Sequence, residues 1–297
     1  MTPMTRCFVV ILLMLQLASC GKSGPPPLLI GVSGSSSDAL FALAEQHQFF
    51  AQEHQPVQTR LYATPAEAAQ ALAKGEVDAI NSNVLETVKL FEQASWQPKI
   101  FWAMSYSNGG QVLLARSGIN NVAALAGKRV AYRQGTLDVL ALYLALQQAK
   151  LPLAQIQHLP LPPAASLADA GSDALLLPAT QAETLLAGQG WSKLYDSSQS
   201  PEVLLDVLLA NETHIRKRGL DLDKMMRALG RAARLAAPQA GQVWLDRAQQ
   251  NLYFAAGGRL AEALYHADAA LRSSSQLSKP ACGRFCIDNR AQELARD

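Results

Sequence analysis

Only four cysteines and five histidines are spread over 297 residues, and lysine nowhere forms a run. Each shortage excludes something. Basic and acidic residues nearly balance, with a formal net charge of +2, so nothing points to a nucleic-acid partner. His47 and His54 stand seven apart and suit one helix face, but His158, His214 and His266 are scattered and no acidic or cysteine cluster accompanies any of them. Neither an H-E-x-x-H zinc motif nor a G-x-x-x-x-G-K-[ST] phosphate loop occurs. Gly31-Val32-Ser33-Gly34-Ser35 misses the G-x-S-x-G spacing of a nucleophile elbow. No catalytic residue, metal or cofactor is therefore expected. Beyond the first twenty residues no apolar run approaches the roughly 20 residues of a membrane-spanning helix.

What is present begins with the first thirty residues. Arg6 and the amino terminus precede the apolar run Phe8 to Leu15, and small residues Ala18 and Ser19 lead to Cys20. A positive flank, a short apolar core and a small-residue exit make residues 1–19 a secretory signal. Leu17-Ala18-Ser19-Cys20 resembles the bacterial lipobox, which implies that Cys20 is acylated by palmitate-type chains and becomes the mature N-terminus. A buried methylene contributes about 0.8 kcal/mol, and two or more chains anchor stably where one does not. Residues 20–27, rich in glycine and proline, would be the lipidated tether. An ordinary cleaved signal is the alternative. The protein is expected to be exported and lipid-anchored to a cell membrane, facing the periplasm or the cell exterior. Of the remaining cysteines Cys7 leaves with the signal, so Cys282 and Cys286 in CGRFC are left as a pair. Outside the cytoplasm a local disulfide between them is favoured over free thiols.

The mature chain reads as alternating strands and helices. LLIGV (28–32) is a buried strand, SGSSSD a polar turn, and Leu40, Phe41, Ala44 and Phe49 suit a helix. VQTRLY (57–62) alternates as a strand does. Thr64-Pro65-Ala66-Glu67 combines an N-cap, proline at the first helical position and a capping glutamate, and Gly75 should end that helix. EVDAIN and SNVLETVKLFEQ follow as strand and helix. KRVAYR (128–133), LDVLALYLALQQA and GSDALLL (171–177) repeat the pattern. Asp38 and Asp138 are 100 apart, Asp78 and Asp173 are 95 apart, and each pair sits in the same local context. Two similarly wound α/β lobes, each with a mostly parallel sheet, are the consequence. KIFWAMS (99–105) and QVLLAR (111–116) around YSNGG make one crossing between lobes, and PEVLLDVLLA (201–210) a second. Residues 28–110 would form the first part of lobe 1 and residues 111–200 lobe 2. Residues 201–297 would cross back and complete lobe 1 with C-terminal helices from Asp221 onward, broken at Gly257-Gly258.

Ligands of open parallel sheets bind beyond the carboxyl ends of the strands. Here those ends carry Ser33 to Ser37, Asn81 to Asn83, Gln134-Gly135-Thr136 and Pro178-Ala179-Thr180, with Ser105 to Asn108 as the floor between lobes. Small polar residues there allow close approach of backbone N–H groups, although the same residues cap helices everywhere. At this point ALFALAEQHQFF, ALAKGEVDAI, LAGKRVAYRQGTLDVLALYLALQQAKL, GSDALLL and SPEVLLDVLLANETHI resemble the type 2 periplasmic substrate-binding proteins of the nitrate, aliphatic-sulfonate and taurine kind. That group includes binders of thiamine pyrimidine precursors. The resemblance spans about residues 28 to 240 and implies two doubly wound lobes joined by a two-crossing hinge. It also implies a monomer that closes on a small-molecule solute and delivers it to an ABC permease. By that resemblance the ligand-binding residues are Ser33, Ser35, Ser36, Asn81, Ser82, Ser105, Tyr106, Ser107, Asn108, Gln134, Gly135, Thr136 and Asp206. Gln111 departs from the pattern, standing where many relatives have an acidic residue. Arg133 is the only nearby cation and Tyr106 the clearest aromatic, which favours a small polar or anionic solute, with Asp78, Asp138 or Asp206 available to an amine instead. A lipoprotein that feeds a membrane sensor and a pyrimidine-synthase-like enzyme are the alternatives.

Overall fold

A computed structural model describes residues 24–134, 136–161, 171–237 and 241–276. The leader with Cys20, Gly135, and the Cys282 and Cys286 pair lie outside the described residues. Two sheets organise the rest. The first takes β1 (Leu28–Val32), β2 (Val57–Leu61), β3 (Ala79–Asn83), β4 (Pro98–Ser107), β10 (Leu205–Asn211) and β11 (Gln242–Trp244). The second takes β5 (Gln111–Arg116), β6 (Arg129–Tyr132), β7 (Gln157–Pro160), β8 (Ala174–Pro178) and β9 (Trp191–Asp196). Their orders are β2-β1-β3-β10-β4-β11 and β7-β6-β8-β5-β9. Position for position the first five strands correspond, so the chain contains one winding pattern twice.

The sheets are mixed rather than mostly parallel. β1 pairs in parallel with β2 and β3, and β6 with β7 and β8, but β10 and β5 run antiparallel to their neighbours. The reason lies in the path between lobes. β4 leaves the first lobe towards the second and β5 enters at the facing edge; β9 leaves and β10 returns. A strand entering from the facing edge must run against strands that point towards it. Both entering strands therefore begin at that edge, which places Gln111 and Asp206 there.

The 95-residue offset has a common physical cause. In the first sheet Asp78 accepts the N–H of Leu29 at 2.8 Å, and Asp78 N–H donates to the Leu29 carbonyl at 2.7 Å. In the second, Asp173 accepts the N–H of Arg129 at 2.8 Å and its own N–H donates to the Arg129 carbonyl at 2.8 Å. Each aspartate caps the start of the parallel strand that occupies the second position of its sheet, β1 in one and β6 in the other. Each is also salt-bridged, Asp78 to Arg218 at 3.0 Å and Asp173 to Arg129 at 3.4 Å.

Helices cover the sheets. α1 (Ala39–Gln46) and α2 (Phe49–Gln52) are separated by Gln48 in the left-handed region (φ 56°), so His47 and His54 fall in the turns on either side of α2 rather than on one helix face. α3 (Pro65–Lys74) starts at Thr64, whose Oγ1 accepts the N–H of Glu67 at 3.2 Å, and stops at Gly75 with φ 73°. α4 (Val84–Gln93) follows β3 directly. α5 (Leu137–Gln148) is buried on nearly every side, because β-strands lie beneath it and α9 (Arg259–Ser273) above. α9 also packs on α4, so one C-terminal helix spans both lobes. α6 (Ala179–Leu186) lies on the other face of the second sheet. α7 (Glu212–Leu235) begins earlier than its apolar spacing indicated and is kinked at Arg218 (φ −121°), whose guanidinium holds the Pro26 and Pro27 carbonyls together with Asp78 and Asp221. Leu222, Met225, Met226 and Leu229 are buried as that spacing predicts, while Leu235 is exposed. α8 (Gln250–Phe254) and α9 are separated at Gly257-Gly258. β11 lies in a stretch read from sequence as wholly helical.

Candidate functional site

At the facing edges a cleft of about 360 Å³ opens between the lobes. Its walls combine Ser36, Ser107, Leu204, Asp206, Gly241 and Gln242 from one side with Gln111, Arg133, Leu137, Pro178, Ala179 and Thr180 from the other, and Gly110 lies at the crossing. A second hollow of about 400 Å³ is lined by Tyr143, Leu146, Gln147, Lys150, Leu151, Pro152, Leu153, Ala154 and Ser273. It lies at the far end of α5, away from the strand ends that converge on the cleft, and draws little on polar chemistry. The cleft is the candidate site despite its smaller volume.

The first-lobe wall is a hydrogen-bonded acidic network. Asp206 is buried, and its Oδ2 accepts the hydroxyls of Ser35 at 3.0 Å and Ser105 at 3.3 Å. Gln242 Nε2 donates to Ser105 Oγ at 2.7 Å, and Ser35 and Ser37 hydroxyls meet at 3.0 Å. Asn81 Nδ2 donates to Ser37 Oγ and to Asp38 Oδ1, both at 2.7 Å. Burial pushes the Asp206 carboxyl up to about 6, against the lowering effect of its serine partners and helped by the nearby Asp38 charge. Burial raises Asp38 as well, opposed by Asn81 and by the backbone N–H groups of Gly34, Ser35 and Ser33. This last contact changes how the SGSSSD turn is understood. The N–H groups of Ser33, Gly34 and Ser35 are already taken by the protein's own carboxylate, with Gly34 N–H to Asp38 Oδ2 at 2.9 Å.

The second-lobe wall is where positive charge resides. Arg133 lines the cleft and is fixed side-on by Asp138, with Nε to Oδ2 at 2.7 Å and Nη2 to Oδ1 at 3.2 Å. Thr136 caps α5 by accepting the Asp138 N–H at 3.2 Å and donates to the Arg133 carbonyl at 3.1 Å. Gln134 points to His158 Nδ1 at 3.2 Å, and His158 meets Tyr132 edge-on with ring centroids 4.3 Å apart.

The crossings are tightly coupled. Ser197 Oγ accepts N–H groups of Gly109 at 2.8 Å and Gln111 at 3.3 Å, and Ser107 bonds to Ser197 Oγ at 2.8 Å and to Gln111 Oε1. Asn108 N–H donates to the Gly241 carbonyl and Ala179 N–H to the Gly110 carbonyl, each at 2.9 Å. A Cβ on Gly241 (φ 78°) would lie 2.4 Å from Gly110 Cα, and one on Gly110 would lie 2.6 Å from the Gly241 carbonyl oxygen. Both positions require glycine.

Of the residues singled out from sequence, Ser36, Ser107 and Asp206 line the cleft, and Ser35, Ser105 and Asn81 form the network behind them. Ser33 contributes a backbone N–H to Asp38. Ser82 is buried in β3 opposite Val207, Asn108 is exposed in the turn, and Gln134 and Thr136 serve the local contacts just described. Tyr106 alternates with Ser105 along β4 and lies off the cleft lining, where burial and Glu202 raise its hydroxyl pKa. Arg133 and Gln111, noted in the sequence for charge and for departure from pattern, both line the cleft. Gly241 and Gln242 carried no signal, because a three-residue strand is too short for periodicity to reveal.

No protein-family model matches the chain, and no curated protein matches it. Solved structures do. A putative periplasmic sulfonate-binding protein SsuA from Methylobacillus flagellatus is similar with a TM-score of 0.72 at 13% identity, over 92% of this chain and 94% of that one. The alkanesulfonate-binding protein SsuA from Xanthomonas axonopodis, bound to MOPS, is similar with a TM-score of 0.62 at 19% identity, over 89% and 99%. A desulfurization enzyme, DSZB, is similar with a TM-score of 0.57 at 13% identity, over 91% and 99%. The same backbone thus carries both binders and an enzyme, and at these identities the likeness is one of fold. That fold is the two-lobed α/β architecture of the type 2 periplasmic-binding proteins.

Proposed function

We propose that this protein is an extracytoplasmic solute-binding protein whose lobes close on one small polar solute and present it to an ABC-type permease in the membrane. The observation that carries this reading is the charge arrangement of the cleft: Arg133 on one wall and Asp206 on the other, across about 360 Å³ lined by hydroxyl, amide and backbone groups together with Leu137, Pro178 and Leu204. Such a volume suits a small solute. The Arg133 guanidinium suits an acidic group, and Asp206, whose Oδ2 already accepts two hydroxyls, offers an acceptor to a hydroxyl or amine. A solute carrying an acid at one end and a donor at the other satisfies both walls and engages them only when the lobes are together, which is what drives closure. Sulfonates head the candidates, because two of the similar structures are sulfonate-binding proteins by description and one holds MOPS.

The leader and Cys20 support lipid anchoring on the outer side of a membrane, and Cys20→Ser should release the protein from the membrane fraction; retention there would remove the anchor. The cleft is tested by melting the mature protein with sulfonates, carboxylates, nitrate and pyrimidines, alongside native mass spectrometry for a co-purified molecule. A stabilising solute should lose its effect in Thr180→Trp, which fills the cleft, while the ligand-free melting temperature stays within a few degrees. A stabilising solute indifferent to Thr180→Trp places binding elsewhere.

A further inference from the structure

We propose that Asp138 is the positioning residue for solute recognition: it holds Arg133 side-on so that the guanidinium presents its outer edge, a two-pronged N–H fork, to an acidic group in the cleft. This rests on the functional reading above and adds to it the residue that sets the geometry of the grip.

A guanidinium has five N–H donors in one plane. Asp138 takes Nε–H at 2.7 Å and one N–H of Nη2 at 3.2 Å. Three donors are left, both on Nη1 and one on Nη2, all along the edge away from Asp138. Two of them, one on each nitrogen, are parallel and match a carboxylate or sulfonate bidentately. The aspartate is 1% exposed, whereas the Arg133 side chain is 43% exposed, so the anchor is sealed and the fork is open. Asp138 itself is locked, since it lies in the first turn of α5 and its N–H is held by Thr136 Oγ1. An arginine on a loop end would otherwise sample many rotamers, and each one frozen on binding costs affinity.

The pseudo-equivalent residue of the other lobe indicates that this arrangement is specific. Asp38 occupies the same place after β1 that Asp138 occupies after β6, and both carboxylates turn back on their own loop. Asp38 spends its oxygens on Asn81 and on the backbone N–H of Gly34, and its wall retains no cation among the described residues lining the cleft. Asp138 spends both oxygens on an arginine. The half-buried Asp38 quenches the donors of its own loop, whereas the buried Asp138 aims those of an arginine into the cleft.

The test uses the mature full chain and three anions as probes: MOPS, methanesulfonate and acetate. Calorimetric titration of the wild type, Arg133→Lys, Asp138→Asn and the double variant is combined with the Arg133 Nε–Hε NMR signal of the ligand-free protein, assigned by its loss in Arg133→Lys. The expected results are an Nε–Hε signal protected from exchange in the wild type and lost on Asp138→Asn. Both single variants should bind the responding anion at least tenfold more weakly, with a double variant little worse than either. If Asp138→Asn does not fold, Asp138→Glu carries the same expectation, since the added methylene displaces the fork. Weakening by Arg133→Lys but not by either Asp138 variant, or an unchanged Nε–Hε signal, overturns this inference and leaves the cleft reading intact. No heat from any of the three anions with the wild type, or full affinity in Arg133→Lys, overturns both.

Discussion

Asp206→Asn should make the ligand-free protein more stable at pH 8 while impairing solute binding. The carboxyl is buried, accepts the hydroxyls of Ser35 and Ser105, and is pushed up to about 6 from its ordinary 3.8. In the folded state the proton is bound more tightly than in the unfolded chain. Ionisation therefore costs stability, a cost that grows as pH rises from about 4 to about 6 and is complete above that. Two pH intervals at 1.36 kcal/mol each give about 3 kcal/mol, and the asparagine amide, which can still accept both hydroxyls, removes most of it. A change of 1 kcal/mol moves the midpoint of a protein this large by about 2–4 °C, so a rise of roughly 5 °C is expected at pH 8 and almost none at pH 4. Asp38, which is also raised and whose charge helps to raise Asp206, titrates in both proteins, so that only its coupling to Asp206 enters the difference. The assay is thermal unfolding of both proteins without solute across that pH range. A variant that melts at or below the wild type at pH 8, or a difference that does not shrink on acidification, refutes the assignment of a strained carboxylate to this wall. The expected trade of stability against function is the usual one at binding sites.

Gly241→Ala puts a Cβ 2.4 Å from Gly110 Cα at a positive φ, and should cost about 3 kcal/mol or more in urea unfolding; a cost under about 1 kcal/mol would mean that the crossing is slack. Gln250 is fully buried, accepting the Ala103 N–H at 3.0 Å and donating to the Ala103 carbonyl at 2.9 Å, so it completes the ladder of β4 where no strand does. Gln250→Leu should destabilise by about 2–4 kcal/mol because both backbone groups are left unpaired in the interior, and an unchanged urea midpoint would show that they find other partners.

Much of the fold is legible in local chemistry. Thr64, Pro65, Glu67 and Gly75 specify α3 by capping rules that need no tertiary context. The paired aspartates betrayed the repeated winding because the corresponding strand start takes the same cap in each lobe. Other features lie beyond one-dimensional patterns. Gln48 breaks a helix in a stretch whose apolar spacing runs on through Phe49, since a single left-handed residue leaves no compositional trace. The antiparallel sense of β5 and β10 follows from where the chain crosses, which composition does not record. At the site, the polar turns were visible, but not which of their donors the protein keeps for itself. SGSSSD looks like an anion cradle until Asp38 is seen to occupy it, and that depends on a side chain folding back across four residues.

The two halves also differ in when they can exist. All five strands of the second sheet come from residues 111–196, an uninterrupted stretch. The first sheet waits: β4 has no neighbour but β10 and β11, which come after that stretch. On a growing chain the later-encoded sheet is therefore complete first, although α5 gains its cover only with α9, and the amino-terminal sheet stays open at its centre until residue 211 has emerged. The leading portion of the chain is, for that interval, the part unable to close.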